Sequence, residues 1–483
     1  MKKDITFIHP DGSNKAEITQ IFDDALVLLI NFLSSANQKP LLPTEEQLQS
    51  FQFILPENAL SETDLKNELT RVISMSMNPA NTSYIGHMDS LPTTYSIIGS
   101  LFSAALNNNL FSLEMSPYLT RLEYALVKQF ALLFGLPSTA SGIIMSGGTL
   151  SNIQAVITAR NYFLKSNDGD ISKSKGKMVL FASEHAHISI KKAAMISGLG
   201  IDALISVKGD GNGKMNTDDL QIKINQAKNK GQQPFAVVAT IGTTVTGNID
   251  PVDEIAAICK KEGIWLHADA IYGGAIVLSK KEKHRLNGIE KANSISFNPQ
   301  KWMHISKTCS LLMIRDAEIL NRYFSMKATY TREQNQFVNL GEISIQGTKH
   351  AEVLKLWLSV LSVGLSGYEK LVDDSYAITE KFIGKLKQFP NIEFASVAEM
   401  NIPTFRLTAK TEEQSNQLNK AFNEYAIKQY TIFFSLPTYN GKLWQRTILL
   451  NPFIDEATLD KVVLAIKHFN LEREEEIKIM SIE

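Results

Sequence analysis

Lys301 closes the run Ser294-Ile-Ser-Phe-Asn-Pro-Gln-Lys301, and Asp269 closes Trp265-Leu-His-Ala-Asp269 upstream of it. The separation of about 30 residues suits two adjacent strand ends. A primary amine captures an aldehyde as a Schiff base, while a carboxylate at the end of a buried strand pairs with a protonated ring nitrogen. Together they suggest a pyridoxal phosphate site in which Lys301 holds the aldehyde and Asp269 the ring charge. The phosphate of such a group needs oriented backbone donors, and Met145-Ser-Gly-Gly148-Thr149-Leu-Ser-Asn152 supplies them. There a strand ends, two glycines permit close approach, and a helix begins whose dipole favours an anion.

These residues resemble the group II pyridoxal phosphate amino-acid decarboxylases, which act on glutamate, aspartate, 2,4-diaminobutyrate and aromatic amino acids. The resemblance runs in order from Tyr84 through Arg446. It implies fold type I, the aspartate aminotransferase-like fold, and decarboxylation of an L-amino acid to its amine and carbon dioxide. Alternatives are another carbon–carbon lyase or an oxidative aldehyde synthase on the same scaffold, or a catalytically silent cofactor-binding homodimer. The family pattern places Gly148, Thr149 and Asn298 at the phosphate and His187 of Ser183-Glu-His185-Ala-His187 against the ring. If that segment is extended, His185 and His187 share a face; His185 has no matching role and is read as structural. Thr244 of Gly242-Thr243-Thr244 matches a turn near the ring.

For the proton donor the resemblance implies a tyrosine on a mobile loop after the strand at 311–314. Tyr330 is chosen over Tyr323, within a polar lid at 327–335. His87, Asp89, Phe111 and Arg446 match positions lining the substrate pocket, with Phe111 reaching it from a neighbouring subunit; an exposed strand arginine is an equal reading of Arg446. Glutamate or aspartate leads over 2,4-diaminobutyrate, with aromatic substrates third, although Asp89 would repel a side-chain carboxylate and favour an amine. Two departures from the family stand out. Gln300 replaces a histidine, and Lys349-His350 replaces an arginine pair, which weakens or alters any role in holding that region together.

The elements that must position these groups follow from apolar patterning. Runs at 142–145, 178–181, 203–206, 235–240, 264–267, 294–297 and 311–314 are mostly continuously apolar, as in strands of a mainly parallel seven-stranded sheet buried on both faces. Helical patterns at 151–163 and 251–261 alternate with them, which makes the chain α/β with the cofactor at the strand ends. An amphipathic helix at 18–35 begins an N-terminal arm, 1–75, which the resemblance sends across a partner subunit of a homodimer with shared active sites. The large cofactor domain occupies 76–370. The smaller C-terminal α+β domain, 371–483, follows a helix at 368–389 and contains strands at 392–394 and 403–407, a helix at 415–428, a hairpin of 431–434 with 443–450, and a last helix at 455–469 followed by a charged tail.

A formal net charge of −1 on 483 residues offers no electrostatic case for nucleic acid or an anionic membrane. The apolar run 25–33 is too short to span a bilayer, which needs about 20 residues. Cys259 and Cys309, far apart in apolar surroundings, suit small core hydrophobes in a reducing cytoplasm rather than a disulfide or metal site.

Overall fold

Seven strands build one sheet: β1 Ser141–Met145, β2 Met178–Ser183, β3 Leu204–Val207, β4 Gln233–Thr240, β5 Trp265–Asp269, β6 Ser294–Phe297 and β7 Ser310–Ile314. They belong to a computed structural model describing residues 7–49, 55–331 and 338–480, with 474–480 described by backbone alone. The spatial order is β1-β7-β6-β5-β4-β2-β3. Strand β2 pairs in parallel with β3 and β4, β4 with β5, and β5 with β6, while β7 runs antiparallel to both neighbours. Reversal of β7 alone brings the C-terminal ends of the other six strands to one edge.

Successive side chains point to opposite faces, so a strand apolar at every position needs cover on both sides. One face packs Phe181, Val237, Leu266, Ile295 and Leu311 into a core. The other sets Leu180, Val238, Trp265 and Leu312 beneath helices Gly148–Leu164 and Ile188–Ile196. The parallel α/β expectation is thereby met, with each of the seven runs within a residue or two of its strand.

The chain divides into two compact units. Unit two, residues 88–420 and 435–452, holds the sheet. Helix Glu352–Leu386 begins well before the expected helix at 368, and Gly364, at φ 71°, kinks it without the Cβ penalty another residue would incur. Strands β8 Ile392–Phe394 and β9 Thr404–Leu407 pair where strands were expected. The expected hairpin of 431–434 with 443–450 does not form. Instead β10 Thr438–Tyr439 turns through Asn440 and Gly441, both at positive φ, to pair with β11 Lys442–Leu443. Strand β12 Gln445–Arg446 then adds to β9. The turn-forming asparagine and glycine, rather than the apolar stretch, set the pairing.

Unit one comprises residues 1–87, 421–434 and 453–483. Its helix Lys15–Ser34 buries no residue and leaves Phe22, Leu26, Val27 and Ile30 exposed; Leu65, Leu69 and Val72 of helix Glu62–Ser74 are exposed as well. Phe422 packs against Phe434 and Phe469 at the unit's centre.

Lys349, which replaces a family arginine, is fully buried. Its Nζ lies 3.2 Å from Glu123 Oε1 and donates to the carbonyl of Ile144, while Ile144 N donates to Glu123 Oε1 at 2.9 Å. The pair ties helix Pro117–Leu133 to β1, so this lysine holds the region together; His350 is half exposed, 3.3 Å from Glu352. Lys349→Met should destabilise the fold by about 3 to 5 kcal/mol, because Glu123 keeps a buried charge. Adding Glu123→Gln should recover a large part of the loss. Urea denaturation of the three proteins checks both expectations.

Candidate functional site

Each group picked out along the sequence comes off the sheet edge where the strands end. Asp269 ends β5, and its neighbour β6 leads through Asn298 into the turn carrying Lys301, with Ala270 N donating to Ser296 O at 2.9 Å. Strand β1 delivers Gly148 and Thr149, β2 delivers His187, and β4 delivers Thr244. The separation of Asp269 from Lys301 along the chain is thus one crossover between adjacent parallel strands.

Burial dominates the electrostatics. Lys301 is held down to about 8 by desolvation, a charged ammonium being costly away from water. Asp269 and Asp89 oppose that shift, and Arg446 and Lys307 reinforce it, so four charged side chains act on one amine. The amine lies 3.3 Å from Met88 Sδ and 5.7 Å from the centre of the Tyr272 ring. Asp269, almost fully buried, accepts from Asn152 Nδ2 at 2.9 Å.

Residues 184–187 form a turn, which corrects the expectation that His185 and His187 share the face of an extended chain. The turn sends the imidazoles apart. His185 packs 4.8 Å from Tyr439. His187 caps helix Ile188–Ile196, its Nδ1 accepting from Ser189 N, and burial lowers its pKa while Asp269 raises it and Lys301 lowers it further. Arg446, offered equally as an exposed strand arginine, is buried on β12 and donates to the carbonyl of Thr244 and to Ser435 Oγ. It had to be buried: β12 is covered, and the guanidinium is satisfied by oxygens rather than water.

Asp89 forms an ion pair with Lys307, a residue that carried no expectation. No local pattern signals this pair, since its partners lie on distant segments. Gln300 accepts from Cys309 N through Oε1 at 2.6 Å, so it anchors the turn after β6 to the start of β7. His87 lies in unit one, its ring 5.4 Å from Phe433. Phe111 is buried and stacks on Tyr330 with 5.7 Å between ring centres; Tyr330 is 69% exposed. Among the described residues no hydrogen bond or ring interaction joins either ring to Lys301, Asp269 or His187. Tyr323 ends a helix and packs edge-on against Tyr162. Of the lid at 327–335, positions 332–335 lie outside the described residues.

The edge fits a phosphorylated aldehyde. A Cβ on Gly148 would fall 2.3 Å from Ile271 and 3.1 Å from Asn298 Nδ2, so only glycine leaves that space. Helix Gly148–Leu164 opens there with first-turn amides that have no acceptor within the helix. Asn298 is buried; its carboxamide oxygen is unpaired among the described residues and can only accept, while its Nδ2, the end that borders Gly148, is the one able to donate to a phosphate. A buried lysine of lowered pKa and a buried aspartate complete a donor set suited to pyridoxal phosphate.

Residues 45–408 match the model of the pyridoxal-dependent decarboxylase conserved domain. The chain belongs to the pyridoxal-dependent decarboxylase family. It is 30% identical to cysteine sulfinic acid decarboxylase of Rattus norvegicus over 437 residues, 86% of this chain and 87% of the relative. Identity to acidic amino acid decarboxylase GADL1 of Mus musculus is also 30%, over 86% of this chain and 79% of that one. The crystal structure of mouse CSAD superimposes with a TM-score of 0.88 at 25% identity, covering 94% of this chain and 98% of the other. The family resemblance, fold type I, the pyridoxal phosphate cofactor and an amino-acid decarboxylase activity are therefore established for this chain. Among the described residues no helix is long and apolar enough to cross a membrane.

Only the neutral amine attacks an aldehyde, and a pKa lowered to about 8 makes Lys301 half neutral there. Capture of pyridoxal phosphate by the cofactor-stripped protein should accelerate with pH and level off above about 8. A lysine at its ordinary value would keep accelerating to about 10. Stopped-flow absorbance across pH 6 to 10.5 reads this, with Lys301→Ala expected to give no borohydride-fixed cofactor at any pH.

Proposed function

We propose that the chain decarboxylates a short acidic L-amino acid, with glutamate or aspartate ahead of 2,4-diaminobutyrate and aromatic substrates third. Cysteine sulfinate, the acid named in one relative, belongs to the same class of anionic side chain. The observation that carries the reading is the ion pair between Asp89 and Lys307. Read alone, Asp89 argues for an amine on the substrate. Paired, it carries no net charge toward the pocket, and the balance around Lys301 passes to Arg446. A diamine acid would need a carboxylate with capacity to spare, and Asp269 is already engaged by Asn152.

Pyridoxal phosphate, when bound, supplies the electron sink for the pair left behind by the departing carboxylate. The first-turn amides of Gly148 and Thr149, with Asn298, hold the phosphate; Thr244 borders the ring, and Asp269 pairs with its nitrogen. Lys301 holds the aldehyde carbon between turnovers. His187 would lie against the ring, and Asp89, Phe111 and Arg446 would bound the substrate. Tyr330 returns a proton to the carbon that lost the carboxylate, the step that separates amine release from aldehyde formation.

The active sites are shared between two subunits of a homodimer. Two features support this reading. Tyr330 and Phe111 stack on each other in one chain without meeting Lys301, and helix Lys15–Ser34 exposes an apolar face that a second copy would cover.

Three measurements test these readings. A screen of L-amino acids for carbon dioxide and amine should give highest turnover on an acidic substrate; a preference for 2,4-diaminobutyrate would overturn the ranking. Asp89→Asn should raise kcat/KM for the acid about three- to tenfold by freeing the Lys307 charge, and Lys307→Met should lower it by a similar factor. Tyr330→Phe should divert product toward aldehyde, ammonia and peroxide. That diversion uses dissolved oxygen as the two-electron oxidant and is read in air. As part of the same third measurement, Tyr330→Phe mixed with Lys301→Ala under subunit exchange should recover amine to about a quarter of wild type, because half the dimers then carry one intact site.

A further inference from the structure

Trp265 Nε1 lies 2.9 Å from Ser294 Oγ, and an indole N–H is a donor only, so the hydroxyl accepts there. The same hydroxyl lies 2.8 Å from His267 Nδ1, where an oxygen with two lone pairs can accept again or donate, so Trp265 alone does not set the tautomer. His267 Nε2 lies 3.0 Å from Asn152 Oδ1, which only accepts, and 3.4 Å from Ser296 Oγ; Nε2 therefore carries the ring proton and Nδ1 accepts from Ser294. The carboxamide cannot flip, because the opposite orientation would point its oxygen at the Asp269 carboxylate. Its Nδ2 donates to Asp269 Oδ2 and to Ser189 Oγ, each at 2.9 Å. Ser189 passes its proton to His187 Nδ1 at 2.8 Å, leaving the His187 proton on Nε2.

The proton directions at His267 and Ser294 follow from the orientation that the Asp269 carboxylate imposes on Asn152. All members except His187 are at least nine-tenths buried, so no water substitutes for a lost partner. Burial holds His267 down to about 4, which keeps it neutral and its single proton committed. The groups acting on His187 are Asp269, Lys301 and Lys192, of which Asp269 is bound to the same carboxamide.

We propose that Asn152 and His267 are positioning residues: Asn152 orients Asp269 and, through Ser189 Oγ, reinforces the His187 tautomer that the Ser189 backbone amide also favours, and His267 Nε2 holds the oxygen end of the Asn152 carboxamide in place. One amide thereby joins the group that holds the ring nitrogen to the imidazole at the ring face. Neither residue was assigned a role by its motif. Both occur as plain members of a helix start and a strand.

The test uses the holoenzyme labelled with nitrogen-15 histidine, with the His187 signals assigned through His187→Gln. Cofactor retention after dilution is read from the visible absorbance. His267→Phe removes the donor to Asn152 and should weaken cofactor retention about five- to tenfold, as expected for one displaced buried hydrogen bond. The same variant should shift the His187 Nδ1 resonance toward its protonated form. His267→Gln, whose amide keeps a donor near the Nε2 position, should restore both readouts to within about twofold. Unchanged His187 resonances in His267→Phe, or a Gln variant as impaired as Phe, would overturn the proposal and reduce His267 to packing. Should His267→Phe fail to fold, Ser189→Ala, a small change, cuts the branch to His187 alone. It must move the His187 signals, and their constancy would equally sink the idea.

Discussion

A carboxylate buried at the end of a central strand is the constraint around which this structure is arranged. Asp269 sits on β5, flanked by β4 and β6, where water cannot solvate it. A charge so placed is tolerated only with partners, and among the described residues these are Asn152 Nδ2 and, at 3.3 Å, Ile271 N. The helix carrying Asn152 must therefore cross beneath β5, and it begins at Gly148 on the same edge. The phosphate cradle and the partner of the buried carboxylate are thus two consequences of one helix placement. With the helix fixed, the cofactor is measured between its two ends.

The same low dielectric acts on Lys301 and serves a different purpose. For the aspartate, burial demands a proton-donating neighbour; for the lysine, it disfavours the ammonium and keeps part of the amine neutral near pH 8. His267 is lowered by a similar amount, to about 4, which keeps it neutral. Lys301 and His267 are thus both shifted by how much water each loses and by the charges beside it.

The sheet was legible in the sequence because strands buried on both faces are written as unbroken apolar runs, as in Met178-Val-Leu-Phe and Phe235-Ala-Val-Val. Lys301 and Asp269 were legible for a related reason, as polar residues ending such runs. Other features depend on contacts that no local pattern encodes. The Asp89–Lys307 ion pair joins segments more than 200 positions apart, with a sequence separation of 218, and it changes the meaning of Asp89 from repulsive to neutral. His185 and His187 looked equivalent at extended spacing, and the turn at 184–187 separates them. Around 431–450 the apolar pattern suggested one hairpin, whereas Asn440 and Gly441 at positive φ made a different and shorter one. Turn chemistry prevailed over hydrophobicity there because a tight reversal needs particular φ angles, which few residues adopt.

The contrast between the fixed edge and the exposed Tyr330 follows from what each has to do. Losing a carboxylate requires a ring held in one orientation, and the sheet edge supplies this through groups that are buried and mutually bonded. Returning a proton requires an acid that arrives after carbon dioxide has left and then withdraws for product release. A tyrosine among the buried donors would be permanently in place, satisfied by neighbours and unable to clear the exit. Tyr330 lies on an exposed segment, stacked on Phe111, rather than among those buried donors. If it is the proton donor, as proposed, the rigid group at the strand ends and the acid on a surface segment divide the two requirements between them.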